Sequence, residues 1–251
     1  MNPFLQAVYE IQESALMTGR SFRRALSKPY YFREIITQMD VIGVGSLTII
    51  LLTGLFTGGV LALQTSSTLK TFGATGVTGQ LVMTSMVREM GPVLASLMLA
   101  GRVGSAIAAE LGSMVVSEQV DAMRALGTDP IKKLIWPRVF ALMVMTPALT
   151  IAADMVGAVG GWLVSSALMN VASSVYISSA KSALTYNDII GGLIKPTVFG
   201  LVIAIVSCRA GLRTYGGTVG VGRSTTQAVV LSDILILASD FFLARIILEF
   251  S

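Results

Sequence analysis

The chain has 251 residues, of which 53% are hydrophobic and only 13% are charged, and its formal net charge is +4. Its mean hydropathy is +0.76, and apolar runs of about 20 residues recur, which is the length of a membrane-spanning helix. This composition argues against a soluble globular domain and against a β-barrel, and it predicts an all-α integral membrane protein. The single cysteine, Cys208, and the lack of histidine argue against a disulfide framework and against zinc, haem or iron–sulfur chemistry.

The N-terminal segment, residues 1–40, is basic and amphipathic, and aromatic residues stand just before the first long apolar run. Aromatic rings favour the headgroup level of a bilayer. The segment therefore predicts a helix lying at the cytoplasmic membrane surface, although a solvated tail is the alternative. We expect no cleaved signal peptide, because the first apolar run begins only near Val41.

Five apolar segments predict five membrane-spanning helices within a permease-like domain, residues 41–251. They cover residues 41–64, 80–106, 139–169, 189–208 and 228–248. The N-terminal region and the four successive connections hold five, one, four, one and three Lys or Arg residues. Because basic residues favour the cytoplasmic side, this alternation predicts an N-terminus inside and a C-terminus outside. Topology also accounts for the positive net charge, so no nucleic-acid partner is expected.

Glycine and proline mark further features of these segments. Gly54, Gly58 and Gly59 in the first span predict a close contact with another helix. Gly91-Pro92 predicts a kink in the second span, since proline removes a backbone donor. The glycine-rich segment 209–226 is interpreted as a loop. It is not interpreted as a phosphate cradle, because it lacks the Gly-Lys-Ser/Thr signature and a preceding strand.

Several charged residues lie inside the predicted spans. With a rise of about 1.5 Å per residue, Arg88-Glu89, Asp154, Lys195 and Asp240 all fall near the midplane or in the outer half of the bilayer. Charges facing lipid are costly, so we expect a polar chamber that opens outward. Arg88 and Glu89 are about 100° apart on a helix, which predicts that one faces the chamber and the other a neighbouring helix. Ion pairs that join helices are favoured for Asp154 and Lys195, while Asp240 fits either role.

The stretch 113–129 between the second and third spans is amphipathic and predicts a short cytoplasmic helix that contacts a partner protein. Its candidate contact residues, together with one just before it, are Glu110, Glu118, Asp121 and Arg124. The alternative is an ordinary solvated loop helix. Upstream, Gly101, Ser105 and Ala109 form a ladder at i, i+4 spacing that predicts helix packing. No nucleophile–base pair, metal set or nucleotide loop is apparent, so we expect no catalysis and no cofactor in this chain.

Three motifs carry a resemblance to a known family. They are REMGPV at 88–93, AGRVGSAIAAELGSM at 100–114 and EQVDAMRALGTDP at 118–130. Together with the rest of the chain they resemble the MlaE-type permeases, the membrane subunits of ABC lipid transporters that work with MCE-domain proteins. By motif position the resemblance implies that Gln64, Arg88 and Glu89 lie near a lipid cavity. Asp240 matches an aspartate of the family's last span.

The resemblance also implies an assembly and a location. It implies a homodimer in the bacterial inner membrane, a cytoplasmic ATPase that binds ATP and magnesium and contacts the 113–129 helix, a periplasmic MCE hexamer and a STAS-domain protein. The implied cargo is phospholipid moved between the inner and outer membranes. Two alternatives remain at this stage: a permease for a small polar solute, and a membrane scaffold without a transport role.

Overall fold

The computed structural model describes residues 17–19, 21, 23 and 31–249, and the regular elements in these ranges are all helical. The predicted all-α fold is therefore confirmed. The helices in chain order are α1 (Phe32–Thr71), α2 (Thr75–Val116), α3 (Gln119–Ala125), α4 (Ile131–Ala167), α5 (Ser173–Ala183), α6 (Tyr186–Leu212) and α7 (Gly217–Glu249). Four of them, α1, α2, α4 and α6, are long and apolar enough to cross a membrane. The interfacial helix predicted within residues 1–40 lies mainly outside the described residues.

Helix α2 is not a uniform α-helix. It contains two π-helical turns, Met86–Met90 and Ala100–Gly104. In the first of them the N–H of Gly91 donates to the carbonyl of Met86 across the wider i→i+5 spacing. Pro92 follows directly and cannot donate to a preceding carbonyl. The kink predicted at Gly91-Pro92 thus takes the form of a π turn that includes Arg88 and Glu89.

Helices α1 and α4 pack against each other over most of their length. Their backbones approach closely at glycines: a Cβ on Gly54 would stand 2.5 Å from the carbonyl oxygen of Ala153, and one on Gly58 would collide with the backbone of Gly157. The predicted close helix contact of the first span is confirmed, and α4 is its partner. At these positions the two helices are held together by dispersion attraction between their backbones, and not by interdigitated side chains.

The main hydrophobic core lies where α2, α4 and α6 meet, and its largest fully buried side chains include Leu99, Leu142 and Phe199. The face of α2 that packs in this core differs from the predicted ladder. Gly101 has no neighbour within 4 Å of the position that a Cβ would occupy, whereas Gly104 contacts Ser207 of α6. Gly101 therefore has no packing neighbour among the described residues, Ser105 and Ala109 are half-buried, and the register of small residues that includes Gly104 faces α6.

Two segments interpreted as connections are more helical than predicted. The 170–188 connection contains α5, whose Tyr176 hydroxyl donates to the carbonyl of Ala158 in α4 at 3.2 Å. Burial raises the pKa of Tyr176 to about 12, which keeps the phenol protonated as a donor. The 209–226 segment is helical up to Leu212 and again from Gly217. Packing of α6 against α7 offsets the low helix propensity of the glycines in the 209–226 segment.

The stretch 113–129 forms two helical pieces rather than one helix. Helix α2 ends at Val116, and Glu118 adopts a left-handed conformation with φ 58°, which breaks the chain direction before α3. Helix α3 ends in a Schellman motif: Gly127, with φ +73°, donates to Arg124, and Thr128 donates to Met123. The predicted partner-binding helix is therefore shortened to the seven residues of α3.

Candidate functional site

Lys195 of α6 is the centre of a charged cluster that joins three helices. Its side chain is 3% exposed, and its Nζ lies 2.7 Å from Glu89 Oε2 of α2 and 3.1 Å from Asp240 Oδ1 of α7. Nζ also donates to the carbonyl oxygen of Arg88 at 3.0 Å. Glu89 and the Arg88 carbonyl accept hydrogen bonds from Nζ, whereas Asp240 Oδ1 contributes an ion pair without a hydrogen bond. The prediction that Lys195 forms ion pairs between helices is confirmed.

The contact with the Arg88 carbonyl follows from the position of Pro92. In an α-helix the carbonyl of residue 88 would accept from the N–H of residue 92, which a proline lacks. An unpaired carbonyl inside a membrane costs free energy. Lys195 supplies the missing donor, so the proline and the lysine stabilise the π turn together.

Arg88 is held by a second carboxylate. Its Nε donates to Asp188 Oδ1 at 2.5 Å. The other carboxylate oxygen, Asp188 Oδ2, accepts from the backbone N–H of Thr185 at 3.2 Å and from the Thr185 hydroxyl at 2.6 Å. This is the capping box that begins α6. The capping box therefore holds the Asp188 carboxylate in place, and that carboxylate in turn orients the Arg88 side chain.

The charged cluster borders a cavity of about 310 Å³ between α2, α6 and α7. The Arg88 side chain is 43% exposed, and neither of its Nη atoms makes a hydrogen bond with another described residue. Its guanidinium therefore has a fixed orientation and unused donors. The cluster holds two cations, Arg88 and Lys195, and three carboxylates, those of Glu89, Asp188 and Asp240. The rest of the cavity wall combines uncharged polar residues with small and apolar ones, namely Thr84, Ser85, Asn187, Gly191, Gly192, Ala244 and Ile247.

The predicted orientation of Arg88 and Glu89 is wrong in one respect. Both side chains line the same cavity and both bind α6, Arg88 through Asp188 and Glu89 through Lys195. The π turn reduces the rotation between adjacent residues, because its hydrogen bonds span five residues rather than four. The two partners on α6 are seven residues, or about two turns, apart and so lie on one face of that helix.

Two other predicted residues lie outside this cluster. Gln64 is exposed on α1 and is not among the residues that line the cavity. Asp154 is 7% exposed, and among the described residues its Oδ1 has no hydrogen-bond partner. Its carboxylate lies against Gly91, where a Cβ would collide with it. The helix-joining ion pair predicted for Asp154 is therefore not seen within the described part of the chain.

The four residues predicted to contact a partner protein divide into two groups. Glu110 lies 2.7 Å from Arg138 of α4, whose side chain is 4% exposed, so it joins two helices of this chain. Glu118 is exposed at the break before α3. Asp121 and Arg124 form an exposed ion pair of 2.8 Å on α3. The surface of α3 with Glu118, Asp121 and Arg124 is therefore accessible to a partner.

Asp188 is the one residue of the cluster that the sequence interpretation missed. It stands one position before the predicted fourth span and was treated as part of a connection. The Thr185-x-x-Asp188 spacing is a capping-box signature that marks the start of a helix. That signature, followed by an apolar run, places a carboxylate at the helix start and at the depth of Arg88.

Comparison with known proteins places the fold and the cluster in a family. The model of the permease MlaE family matches residues 35–246 of the chain, which include every residue of the cluster. The chain belongs to the MlaE permease family. This permease is thus a multi-pass membrane protein of the ABC-transporter permease type.

Individual relatives span nearly the whole chain. A probable ABC transporter permease protein of Rickettsia typhi is 43% identical over 235 residues, which are 94% of this chain and 91% of the relative. The intermembrane phospholipid transport system permease protein MlaE of Haemophilus influenzae is 36% identical over 229 residues, 90% of this chain and 88% of the relative. The chloroplastic protein trigalactosyldiacylglycerol 1 of Arabidopsis thaliana is 39% identical over 229 residues, 91% of this chain and 65% of the relative.

Proposed function

We propose that this permease is the membrane subunit of an ABC transporter that moves phospholipids between the inner and outer membranes and so maintains the lipid asymmetry of the outer membrane. The observation that carries the proposal is Arg88, a half-exposed guanidinium that Asp188 orients at the edge of a cavity between helices. Guanidinium groups bind phosphate through parallel donors. The printed name of the Haemophilus influenzae relative supports phospholipid as the cargo.

The lining of the cavity favours an amphiphile over a small polar solute. Charged side chains and the polar residues Thr84, Ser85 and Asn187 occupy one part of the wall, while Gly191, Gly192, Ala244 and Ile247 form an apolar part. A polar solute would need donors and acceptors on most sides, since each unpaired polar group costs free energy on burial. A phospholipid matches both the charged and the apolar part of the wall, because its phosphate can lie beside Arg88 and its acyl chains along apolar helix surfaces.

The proposed assembly contains two copies of this chain and three kinds of partner. Among the described residues Gly101 has no neighbour within 4 Å of its Cβ position, which leaves this part of α2 for contact with a second copy. Gln64, exposed on α1 and outside the cavity within one chain, would then contact lipid at the interface between the two copies. A cytoplasmic ABC ATPase, a periplasmic MCE-domain hexamer and a STAS-domain protein complete the complex.

The proposed location is the bacterial inner membrane, with five spans, a cytoplasmic N-terminus and a periplasmic C-terminus. The alternation of basic residues along the chain supports this orientation. We assign the fifth span to α7 on its length alone, since its 33 residues extend over about 50 Å and α7 is not among the four described helices that are both long and apolar enough to cross a membrane.

The proposed mechanism is conformational. ATP and magnesium bind to the partner ATPase, and closure of that ATPase pushes on α3 through Glu118, Asp121 and Arg124. Helix α2 carries the displacement, because it runs from the break at Glu118 to the π turn at Arg88, about 45 Å away along the helix. A shift of that turn changes the contacts of Glu89 and Arg88 with α6 and thereby the width of the lipid cavity.

Purification of the intact complex tests the function directly. Mass spectrometry of the purified complex should identify co-purifying phospholipid together with an ATPase and the two other partner types. A preparation that contains the ATPase but retains a polar solute and no phospholipid would favour the alternative of a small-solute permease. A membrane scaffold is favoured if ATP hydrolysis does not respond to substitutions in α3.

A further inference from the structure

A second polar cavity lies at the opposite end of α6 from the charged cluster. It occupies about 290 Å³ between the C-terminal end of α6 and the N-terminal end of α7. Arg209 on its wall is 14 residues after Lys195, which separates the two sites by about 21 Å along the helix. The cavity therefore shares no residue with the candidate lipid site.

The wall of this second cavity is strongly basic. Arg209, Arg213 and Arg223 line it, and no Asp or Glu is among its described lining residues. Arg209 and Arg213 also make other contacts within the protein. A guanidinium has five donors, however, so such contacts do not exhaust its capacity. Three cations around one concave space create a positive potential that attracts an anion.

Backbone geometry adds to that potential. Gly216 and Gly217 have φ values of +85° and +66°, which allow a tight turn between α6 and α7. Gly220, in the first turn of α7, lines the cavity. The N-terminal end of a long helix carries partial positive charge and unpaired N–H groups, both of which favour an anion.

A buried hydroxyl pair holds the cavity wall in place. Thr214 donates to Ser224 Oγ at 2.8 Å, and Ser224 lines the cavity with 8% of its surface exposed. Because Ser224 accepts this bond, its own O–H remains a donor. Thr214 in turn packs on Gly112 of α2, where a Cβ would stand 2.6 Å from its hydroxyl oxygen. The polar wall is thus pre-organised by contacts among α2, α7 and the turn between α6 and α7.

The cavity is amphipathic along the helix axes. Val206, one turn before Arg209 and Ala210 on α6, and Leu231, two turns after Arg223 on α7, form its apolar end. The arginines form the end nearer the α6–α7 turn. An anion with an attached hydrocarbon chain matches this gradient, whereas a soluble phosphate would leave the apolar end without a partner.

We propose that this cavity binds the phosphate of an anionic phospholipid at the membrane surface, as a site separate from the transport cavity. The three arginines and the Ser224 hydroxyl hold the phosphate, and Val206 and Leu231 contact the start of an acyl chain. The cytoplasmic leaflet is the source of this lipid if the topology proposed above holds. The occupant is a resident lipid and not the transported one, because the two cavities share no residue and lie toward opposite ends of α6.

Lipid titration of the purified full-length permease in detergent tests this site. Native mass spectrometry would follow binding of phosphatidylglycerol, with phosphatidylcholine and inorganic phosphate as comparison ligands. Arg223→Gln is the informative variant, since Arg223 is exposed and makes no side-chain hydrogen bond with another described residue. Arg33→Gln is the matched control, because Arg33 is exposed, lies at the start of α1 on the same proposed membrane side, and is outside the cavity.

We expect Arg223→Gln to weaken phosphatidylglycerol binding about tenfold, the effect of losing one charge-assisted hydrogen bond. Arg33→Gln should leave that binding within about twofold of wild type, as expected for a distant surface charge. Unchanged phosphatidylglycerol binding in Arg223→Gln would contradict the proposed site. An equal loss of binding in Arg33→Gln would mean that the lipid is attracted only by the general positive charge of the surface. Inorganic phosphate that binds as tightly as phosphatidylglycerol would overturn the assignment to lipid.

The same titration in an Arg88→Ala background separates this proposal from the proposed function. The effect of Arg223→Gln should be equal in both backgrounds, because the two cavities share no residue. Loss of the Arg223 effect in the Arg88→Ala background would contradict a separate site. The titration does not measure transport. Its result therefore tests the second lipid site even if the permease turns out not to transport phospholipid.

Discussion

At the scale of single residues, Lys195 makes more stabilising contacts than its position near the end of a span indicates. It neutralises two carboxylates on different helices and also donates to a carbonyl that a proline leaves without its usual donor. Breaking a buried ion pair by removing one partner is far more destabilising than the pair is stabilising, because the remaining charge has no compensation. Lys195 is therefore expected to be a stability determinant of the α2–α6–α7 interface.

Lys195→Met is expected to destabilise the permease by about 3–5 kcal/mol, the cost of leaving buried charges unpaired. The measurement is the thermal unfolding temperature of the detergent-purified protein together with the fraction that elutes as a single species. Lys181→Met is the control, since Lys181 is exposed on α5 and its substitution should leave unfolding unchanged. A stable, monodisperse Lys195→Met protein would contradict the role assigned to the ammonium group.

A second variant distinguishes the carbonyl contact from the ion pairs. Pro92→Ala restores an N–H at position 92, so in the Lys195→Met background it should recover part of the lost stability, by about 1 kcal/mol for one hydrogen bond. If Pro92→Ala destabilises both backgrounds equally, the lysine does not compensate for the proline.

At the scale of helices, close approach of α1 and α4 depends on glycine backbones. A Cβ on Gly58 would collide with Gly157, and neither backbone can move without separating the two helices. Gly58→Ala is therefore expected to cost about 1–3 kcal/mol through overpacking, despite the better helix propensity of alanine. Gly222→Ala is the control, because open space surrounds the Gly222 Cβ position and φ is not positive there.

Unfolding temperatures of the two glycine variants provide the test. The expected result is a clear decrease for Gly58→Ala and no decrease for Gly222→Ala. Equal stability of both variants would mean that the helices adjust freely, and the backbone contact would then not determine the α1–α4 interface.

Helix α3 is the element that the proposed mechanism uses for coupling. Glu118→Lys combined with Asp121→Lys should abolish phospholipid-dependent stimulation of ATP hydrolysis while the permease remains folded, since both residues are exposed. Glu110→Gln should behave differently and lower stability, because Glu110 is paired with the buried Arg138. Normal transport by the double variant with the ATPase still bound contradicts the coupling role.

The sequence predicts how deep in the membrane each charged residue lies better than it predicts which residue that charge pairs with. A rise of about 1.5 Å per residue placed Glu89, Lys195 and Asp240 at similar depths, and they do meet. Which side chains face each other depends on helix rotation, which the apolar pattern of a buried membrane helix specifies poorly. The π turn changed the direction of Arg88 and Glu89, and no local propensity rule predicts a π turn. The Gly101, Ser105 and Ala109 ladder was predicted to pack against a helix, and its spacing likewise does not specify which helix it faces.

Connections were predicted least well. The 209–226 segment has a glycine-rich composition that argues against a helix, yet α7 begins at Gly217 because tertiary packing outweighs local propensity. The shortened α3 was predictable in part, since Gly127 before Asp129-Pro130 is a helix stop signal. The left-handed conformation of Glu118 has no sequence signal that we can identify.

At the scale of the whole molecule, the proposed topology places the two polar cavities on opposite sides of the membrane. Cysteine substitutions test it in a Cys208→Ala background, since Cys208 is the one cysteine in the chain and is buried. Cysteines at Lys70 and Lys181 should react with an impermeant thiol reagent added from the periplasm. Cysteines at Arg124 and Arg213 should react only after the inner membrane is opened. Periplasmic labelling at position 124 would contradict the five-span arrangement.

The central claim is that Arg88 binds the phosphate of a transported phospholipid. Arg88→Ala leaves Asp188 with its bonds to Thr185 and leaves Glu89 with Lys195, but it removes the cationic partner of the buried Asp188 carboxylate, so bound phospholipid is compared on the folded dimer fraction only. Arg88→Lys should retain part of the affinity, because a point charge replaces a two-pronged donor. Arg245→Ala is the matched control, an exposed arginine of α7 paired only with Glu249 among the described residues.

The most direct measurement is the amount of phospholipid bound per permease dimer in purified complexes, with the dimer fraction determined on the same preparations. Bound phospholipid should fall about tenfold in Arg88→Ala, fall less in Arg88→Lys and stay unchanged in Arg245→Ala. Wild-type phospholipid occupancy in a well-folded Arg88→Ala dimer would contradict phosphate binding by Arg88.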